Sequence, residues 1–155
     1  MNAGQGEERG SALRSAYTAT AYEAQLPAGR VVIRVGEVCA ELDSLLASRG
    51  ERHWAFVSAF NPRSRVLCEQ ENLARHENLA RIVAASGLAA FEGEGRGDDG
   101  DWPAECSLLI LGMPPDAALR LAVQFDQHAV VVGERGGAAR LLWTPAGQEN
   151  GTNAA

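Results

Sequence analysis

Asn61, Arg63, Ser64, Asn72, His76 and Gln127 are the residues whose types and spacing could do chemistry in this chain. The first three fall in Ala59-Phe60-Asn61-Pro62-Arg63-Ser64-Arg65, where an apolar run stops at a proline and two arginines follow. Asn72 and His76 stand four apart. On a helix at about 100° per residue both lie inside the arc of Leu73, Leu79, Ala80 and Val83, whereas Glu71, Arg75, Asn78 and Arg81 lie outside it. A buried amide or imidazole must find hydrogen-bond partners or cost about 1–3 kcal/mol. Two readings follow. In one, Asn61 and Asn72 tie down the turn between a strand and a helix, and His76 is a satisfied core histidine. In the other, Asn61, Arg63, Asn72, His76 and Gln127 line a pocket.

The stretch Arg63-Ser64-Arg65 precedes a helix. Free N–H groups and the dipole at a helix start attract anions, and arginine forks fit carboxylate or phosphate. The spacing therefore predicts a weak anion site from Asn61 to Arg65. His76, with Glu71 or Asp126, could serve as acid or base on an anionic metabolite anchored by Arg63. No nucleophile elbow, P-loop or dinucleotide glycine motif stands beside it. The stretch GEGRGDDG is glycine-rich but precedes a strand, the wrong context for cradling a phosphate. His53, His76, His128 and the three cysteines lack zinc spacing, and Asp98, Asp99 and Asp101 lack that of a calcium loop. No catalytic residue, metal ligand or cofactor is assigned.

The elements that must position these residues can be read from pattern. AYTATAYEAQL and RVVIRVG, split by Pro27-Ala28-Gly29, predict a hairpin. EVCAELDSLLASRG predicts an amphipathic helix with Val38, Leu42, Leu45 and Leu46 on its apolar face, closed by Gly50. HWAFVSAF is apolar on both faces, as a central strand is. Residues 68–86 form a second helix stopped by Gly87. LAAFEGEG is a weak strand, GRGDDGDWP a mobile loop with Trp102 as its anchor, and ECSLLILGM a strong strand. PDAALRLAVQFDQ is a third helix, and HAVVVGE and AARLLW are strands joined at Arg135-Gly136-Gly137. From His53 the order is strand, helix, strand, strand, helix, strand, with a final strand after it. That order predicts an α+β fold: a mainly antiparallel sheet with helices packed on it, built on a ferredoxin-like split β-α-β core with an extra N-terminal hairpin and helix. Residues 13–145 form a single domain between disordered tails at 1–12 and 146–155.

Several of these stretches occur together in a known family. Ala59 to Ser64, Glu71-Asn72, Trp102-Pro103 with Glu105 and Ser107, and Phe125-Asp126-Gln127-His128-Ala129 make the region from Tyr17 to Val132 resemble a bacterial family catalogued as domain of unknown function 3293. The resemblance implies no particular activity, cofactor or catalytic residue. Ala104 and His128 depart from the acid and the asparagine expected at those positions.

Composition bounds the rest. The 155 residues, 46% hydrophobic and 22% charged, suit one globular domain with its own core. All of the positive side chains other than histidine are arginines, and the net charge is −6. That balance argues against coating nucleic acid. No apolar run approaches the ~20 residues that span a bilayer, and the N-terminus has no apolar signal segment. Cys39, Cys68 and Cys106 read as free thiols, so a cytoplasmic location is expected. The expected role is to bind a small ligand, an anion among the options, or a protein partner, with a small hydrolase or transferase as the alternative. The oligomeric state stays open.

Overall fold

The structure, a computed structural model, describes residues 3–100 and 102–149. Its elements in chain order are α1 (Ala3–Thr18), β1 (Thr20–Leu26), β2 (Gly29–Ile33), α2 (Ala40–Arg49), β3 (His53–Ser58), a short 3-10 turn (Pro62–Ser64), α3 (Glu69–Ser86), β4 (Ala90–Gly97), β5 (Glu105–Leu111), α4 (Pro115–Gln124), β6 (Ala129–Glu134), β7 (Arg140–Trp143) and α5 (Pro145–Glu149). The fold is α+β. All seven strands join one sheet in the order β2-β1-β4-β5-β3-β6-β7, and every neighbouring pair is antiparallel.

The sheet is curled. Beyond its two edges, Val35 pairs with Ala139 in an isolated bridge, and Gly36 N–H donates to Ala139 O at 2.7 Å. Curling separates two cores. Outside the curl, α3 and α4 pack Leu79, Val83, Ala118, Leu121 and Phe125 on Ala55, Val57, Leu108, Ile110, Val130 and Val132. Inside it, α2 presses Leu42 and Leu46 onto Ile33, Trp54, Leu109, Leu111 and Val131. β3 is thus covered on both faces, which is why its sequence does not alternate.

Helix ends follow local chemistry. Gly50 and Gly87 close α2 and α3 in the left-handed region at φ 68° and 79°, where a glycine carries no Cβ penalty. Cys68 caps α3 by accepting the Glu71 N–H at its sulfur.

α1 occupies Ala3–Thr18 and α5 Pro145–Glu149, within or beside the stretches expected as tails; residues 1–2 and 150–155 lie outside the described residues. Four expectations are corrected. The first strand starts at Thr20 rather than Ala16, because α1 continues to Thr18. α2 starts at Ala40, leaving Val38 57% exposed. The buried stripe of α3 is Asn72, His76, Leu79 and Val83, whereas Leu73 is 41% exposed. Finally, residues 95–97 are not loop: β4 runs to Gly97 because Arg96 and Gly97 pair with Ala21 and Thr20 of β1.

The loop after β4 is tied down as well. Arg34, past the end of β2, forks onto both oxygens of Asp98 at 3.0 and 2.9 Å. This bond holds the Asp98 carboxyl below its ordinary value of 3.8. A depressed folded value means that the contribution is present above 3.8 and is lost as pH falls through the folded value. A carboxyl NMR titration should therefore place the Asp98 midpoint below 3.8, and Arg34→Ala should return it there. A wild-type midpoint at or above 3.8 would show that the fork does not persist in solution.

Candidate functional site

The site begins with a glycine pattern. Gly93, Gly95 and Gly97 of β4 stand opposite Ala24, Tyr22 and Thr20 of β1. Successive strand residues point to opposite faces, so these three share the inner face of the curl and leave it bare. A Cβ at Gly93 would come within 2.5 Å of Glu23 O and 3.0 Å of the Phe56 ring, so packing requires glycine there. At Gly95 the nearest atoms to such a Cβ are 3.6 Å away, an ordinary contact.

Beside this stripe, at the end of the curl away from α2, lies a cavity of about 350 Å³. Leu13, Ala16 and Tyr17 of α1 lie along it, and Tyr22, Phe56 and Trp102 add aromatic surface. Tyr22 meets Phe56 edge to face at 5.3 Å, and Tyr17 meets Trp143 likewise at 5.7 Å. Ser58, Asn61, Ser64, Glu105, Ser107, Gln127 and His128 bring polar groups to it. Burial, and secondarily the charge of Glu105, push the Tyr17 hydroxyl well above the usual phenol range. Burial does the same to Tyr22, with Tyr17 and Glu105 adding to it.

Asn61 is the hub of the polar wall. Its N–H donates to Asn72 Oδ1 at 2.8 Å, and Asn72 Nδ2 returns a bond to Asn61 Oδ1 at 2.8 Å. Leu67 N–H donates to the same oxygen at 3.0 Å. Asn61 Nδ2 donates to Glu105 Oε1 at 2.8 Å, where Trp102 Nε1 also donates at 2.9 Å. The backbone here is left-handed at Asn61 (φ 47°), Arg63 (φ 53°) and Ser64 (φ 59°), and again at Asp126 (φ 55°). Four such non-glycine residues lie together, two of them, Asn61 and Ser64, on the cavity wall, a concentration of backbone strain of the kind found at functional sites.

The six residues singled out from sequence divide into four groups. Asn61, Ser64 and Gln127 line the cavity; Gln127 Nε2 also holds Phe60 O at 3.1 Å. Asn72 stands behind Asn61 as its bracket. Arg63 points away: its side chain is 57% exposed and lies 3.9 Å from Asp126. The N–H groups of Arg63, Ser64 and Arg65 donate to Asp126, Asn61 and Pro62 oxygens, so none of the three is free to cradle an anion. His76 sits on the outer face of the sheet. Its Nε2 lies 2.8 Å from an oxygen of Glu92, which neighbours Gly93 and so points the other way. The two candidates that share one arc of α3 are therefore split, Asn72 serving the cavity wall and His76 the outer core.

Sequence reasoning passed over Tyr17, Tyr22, Glu105 and Arg75. Arg75 clamps two strand and helix ends by donating to Ala59 O at 2.7 Å and Phe125 O at 2.5 Å. Among the described residues no group of His, Cys, Asp and Glu could hold a metal ion, and no helix is long and apolar enough to cross a membrane.

Asn61, Trp102, Glu105, Ser107 and Gln127 are far apart in sequence and adjacent in space. They are also the residues on which the family resemblance rests. Residues 57–130 match the family model described as protein of unknown function (DUF3293). The DUF3293 segment runs from the end of β3 through α4 to the start of β6, and it carries the whole Asn61–Glu105 network. Tyr17, Thr20 and Tyr22, which complete the cavity, lie before it. No curated protein and no solved structure matches the chain.

Proposed function

We propose that the protein binds a small organic molecule in the cavity at the open end of its curled sheet, acting as a binding domain. The observation that carries this reading is the bare Gly93-Gly95-Gly97 stripe facing a largely apolar cavity into which a few polar groups converge. Ligand sites have this character, with volumes of about 300–1,000 Å³, and the cavity here is about 350 Å³. The strained turn at Asn61–Ser64 supports the same reading. His76 takes no part, since it stands on the other face of the sheet from this cavity.

The strand order β4-β5-β3-β6, antiparallel throughout and joined by α3 and α4, supports a ferredoxin-like core, with β1, β2 and β7 as additions that curl the sheet. The free thiols of Cys39, Cys68 and Cys106 support a reducing, cytoplasmic setting.

The test is Gly95→Val. A Cβ at this position meets nothing closer than 3.6 Å, and the larger side chain projects into the cavity. The variant should keep the fold, with stability within about 1 kcal/mol of the parent, because a β-branched residue suits a strand. It should abolish the thermal stabilisation that a ligand confers by mass action. A screen of small metabolites in which hits stabilise both forms equally would overturn the reading.

A further inference from the structure

The cavity's charges and aromatic surfaces fix what it can hold, given the small-molecule reading above on which this inference rests. The charged side chains along it are the carboxylates of Glu105 and Asp99; none of the chain's arginines is among its lining residues, and the chain has no lysine. Glu105 is half-buried and forms no ion pair among the described residues. Its Oε1 is held by Asn61 Nδ2 and Trp102 Nε1, while its Oε2 accepts no hydrogen bond among the described residues. Tyr17, Tyr22, Phe56 and Trp102 line the same cavity with ring surface. His128 also lines the cavity, and its Nδ1 is buried without a partner.

A carboxylate with one oxygen anchored and one free, in an aromatic-lined cavity with no arginine among its lining residues, has no positive partner among the described residues. A cation beside it would gain a charge-assisted bond, and ring faces attract a cation within about 6 Å. An anion would instead meet the Glu105 carboxylate. We infer that the cavity takes a small organic cation, a primary amine on an apolar or aromatic body, with its ammonium group at Glu105 and its body along the glycine stripe, beside Tyr22 and Phe56. The ammonium would donate to Glu105 Oε2, and Ser107 and Gln127 stand beside it as further polar groups of the cavity. Asn61 and Trp102 act as positioning residues, fixing the carboxylate so that its free oxygen stays available.

Three probes of one shape and different charge test this on the full chain: benzylamine, benzyl alcohol and benzoate, each titrated by NMR or calorimetry. Benzylamine should bind at least about tenfold more tightly than the other two, the margin that a charge-assisted bond and ring contact give. Glu105→Gln keeps an oxygen for Asn61 and Trp102 to donate to. In that variant the preference for benzylamine should fall to within about threefold. Benzyl alcohol or benzoate binding as tightly as benzylamine would overturn the cation inference and leave the cavity reading standing. If none of the three binds and the Gly95→Val protein behaves as the parent does, both fall. Should the Glu105 variant not fold, the ranking of the probes on the parent protein still decides.

Discussion

Replacing Asn61 with alanine is expected to lower stability by about 4 kcal/mol, at about 1 kcal/mol for each of three side-chain bonds and about 1 kcal/mol more for backbone strain. Its side chain joins Leu67, Asn72 and Glu105, and its backbone sits at φ 47°, which asparagine tolerates better than alanine. The two contributions can be separated. Asn61→Gly loses the same bonds but accepts the left-handed backbone, so it should be the more stable variant by about 1 kcal/mol. Asn72→Leu should cost about 1–3 kcal/mol, because it leaves the Asn61 N–H without an acceptor. The double variant should cost less than the sum of the two, since they share bonds. Urea midpoints at constant slope measure all four proteins. An Asn61→Ala midpoint close to the parent's would show that the network is not structural.

The second large effect is at Gly133. A Cβ there would come within 2.5 Å of Cε2 and Cζ2 of the Trp54 ring and 2.6 Å of its Nε1. Trp54 is 2% exposed and wedged in the inner core, so the ring cannot yield. Gly133→Ala should cost about 2–3 kcal/mol, at the upper end for overpacking. A smaller ring should relieve the clash. In a Trp54→Phe background the same change should cost less than about 1 kcal/mol, read as the coupling in a double-mutant cycle. Equal costs in both backgrounds would mean that the clash is not with this ring.

Much of the fold was legible because local chemistry wrote it. Glycines in left-handed conformation end α2 and α3, turn residues mark the hairpins, and the apolar run of β3 announces a strand covered on both faces. What escaped was non-local. The stretch from Gly95 to Gly100 looked like a loop, and the strand before it looked weak, because glycine weakens a strand in isolation. Read with a period of two, Gly93, Gly95 and Gly97 form a bare stripe, and that period was the available signal for the cavity. Asn72 and His76 were rightly placed on the buried stripe of α3, but one helical turn, about 5.4 Å, separates the strand end from the outer core. Burial alone could not tell which of them meets the cavity. Glu105 and Trp102 were noticed only as parts of a family pattern. Their bond to Asn61 depends on β5 lying beside β3, which no local rule states. Tyr17 went unnoticed because α1 has no clear apolar periodicity.

The bridge from Val35 to Ala139 has a consequence for how copies of this chain meet. An open sheet edge is a template on which another strand can add, and it is the usual starting point of self-association. Here the two edge strands are short, β2 with five residues and β7 with four, and each opens on an arginine at or beside its start, Arg30 and Arg140. The segments that continue from them are already committed to each other, through Gly36 to Ala139 and through Ala139 N–H to Glu37 O at 3.0 Å. A neighbouring molecule finds few free backbone groups in register. The curvature that opens the cavity thus also guards the chain against stacking edge to edge into fibres.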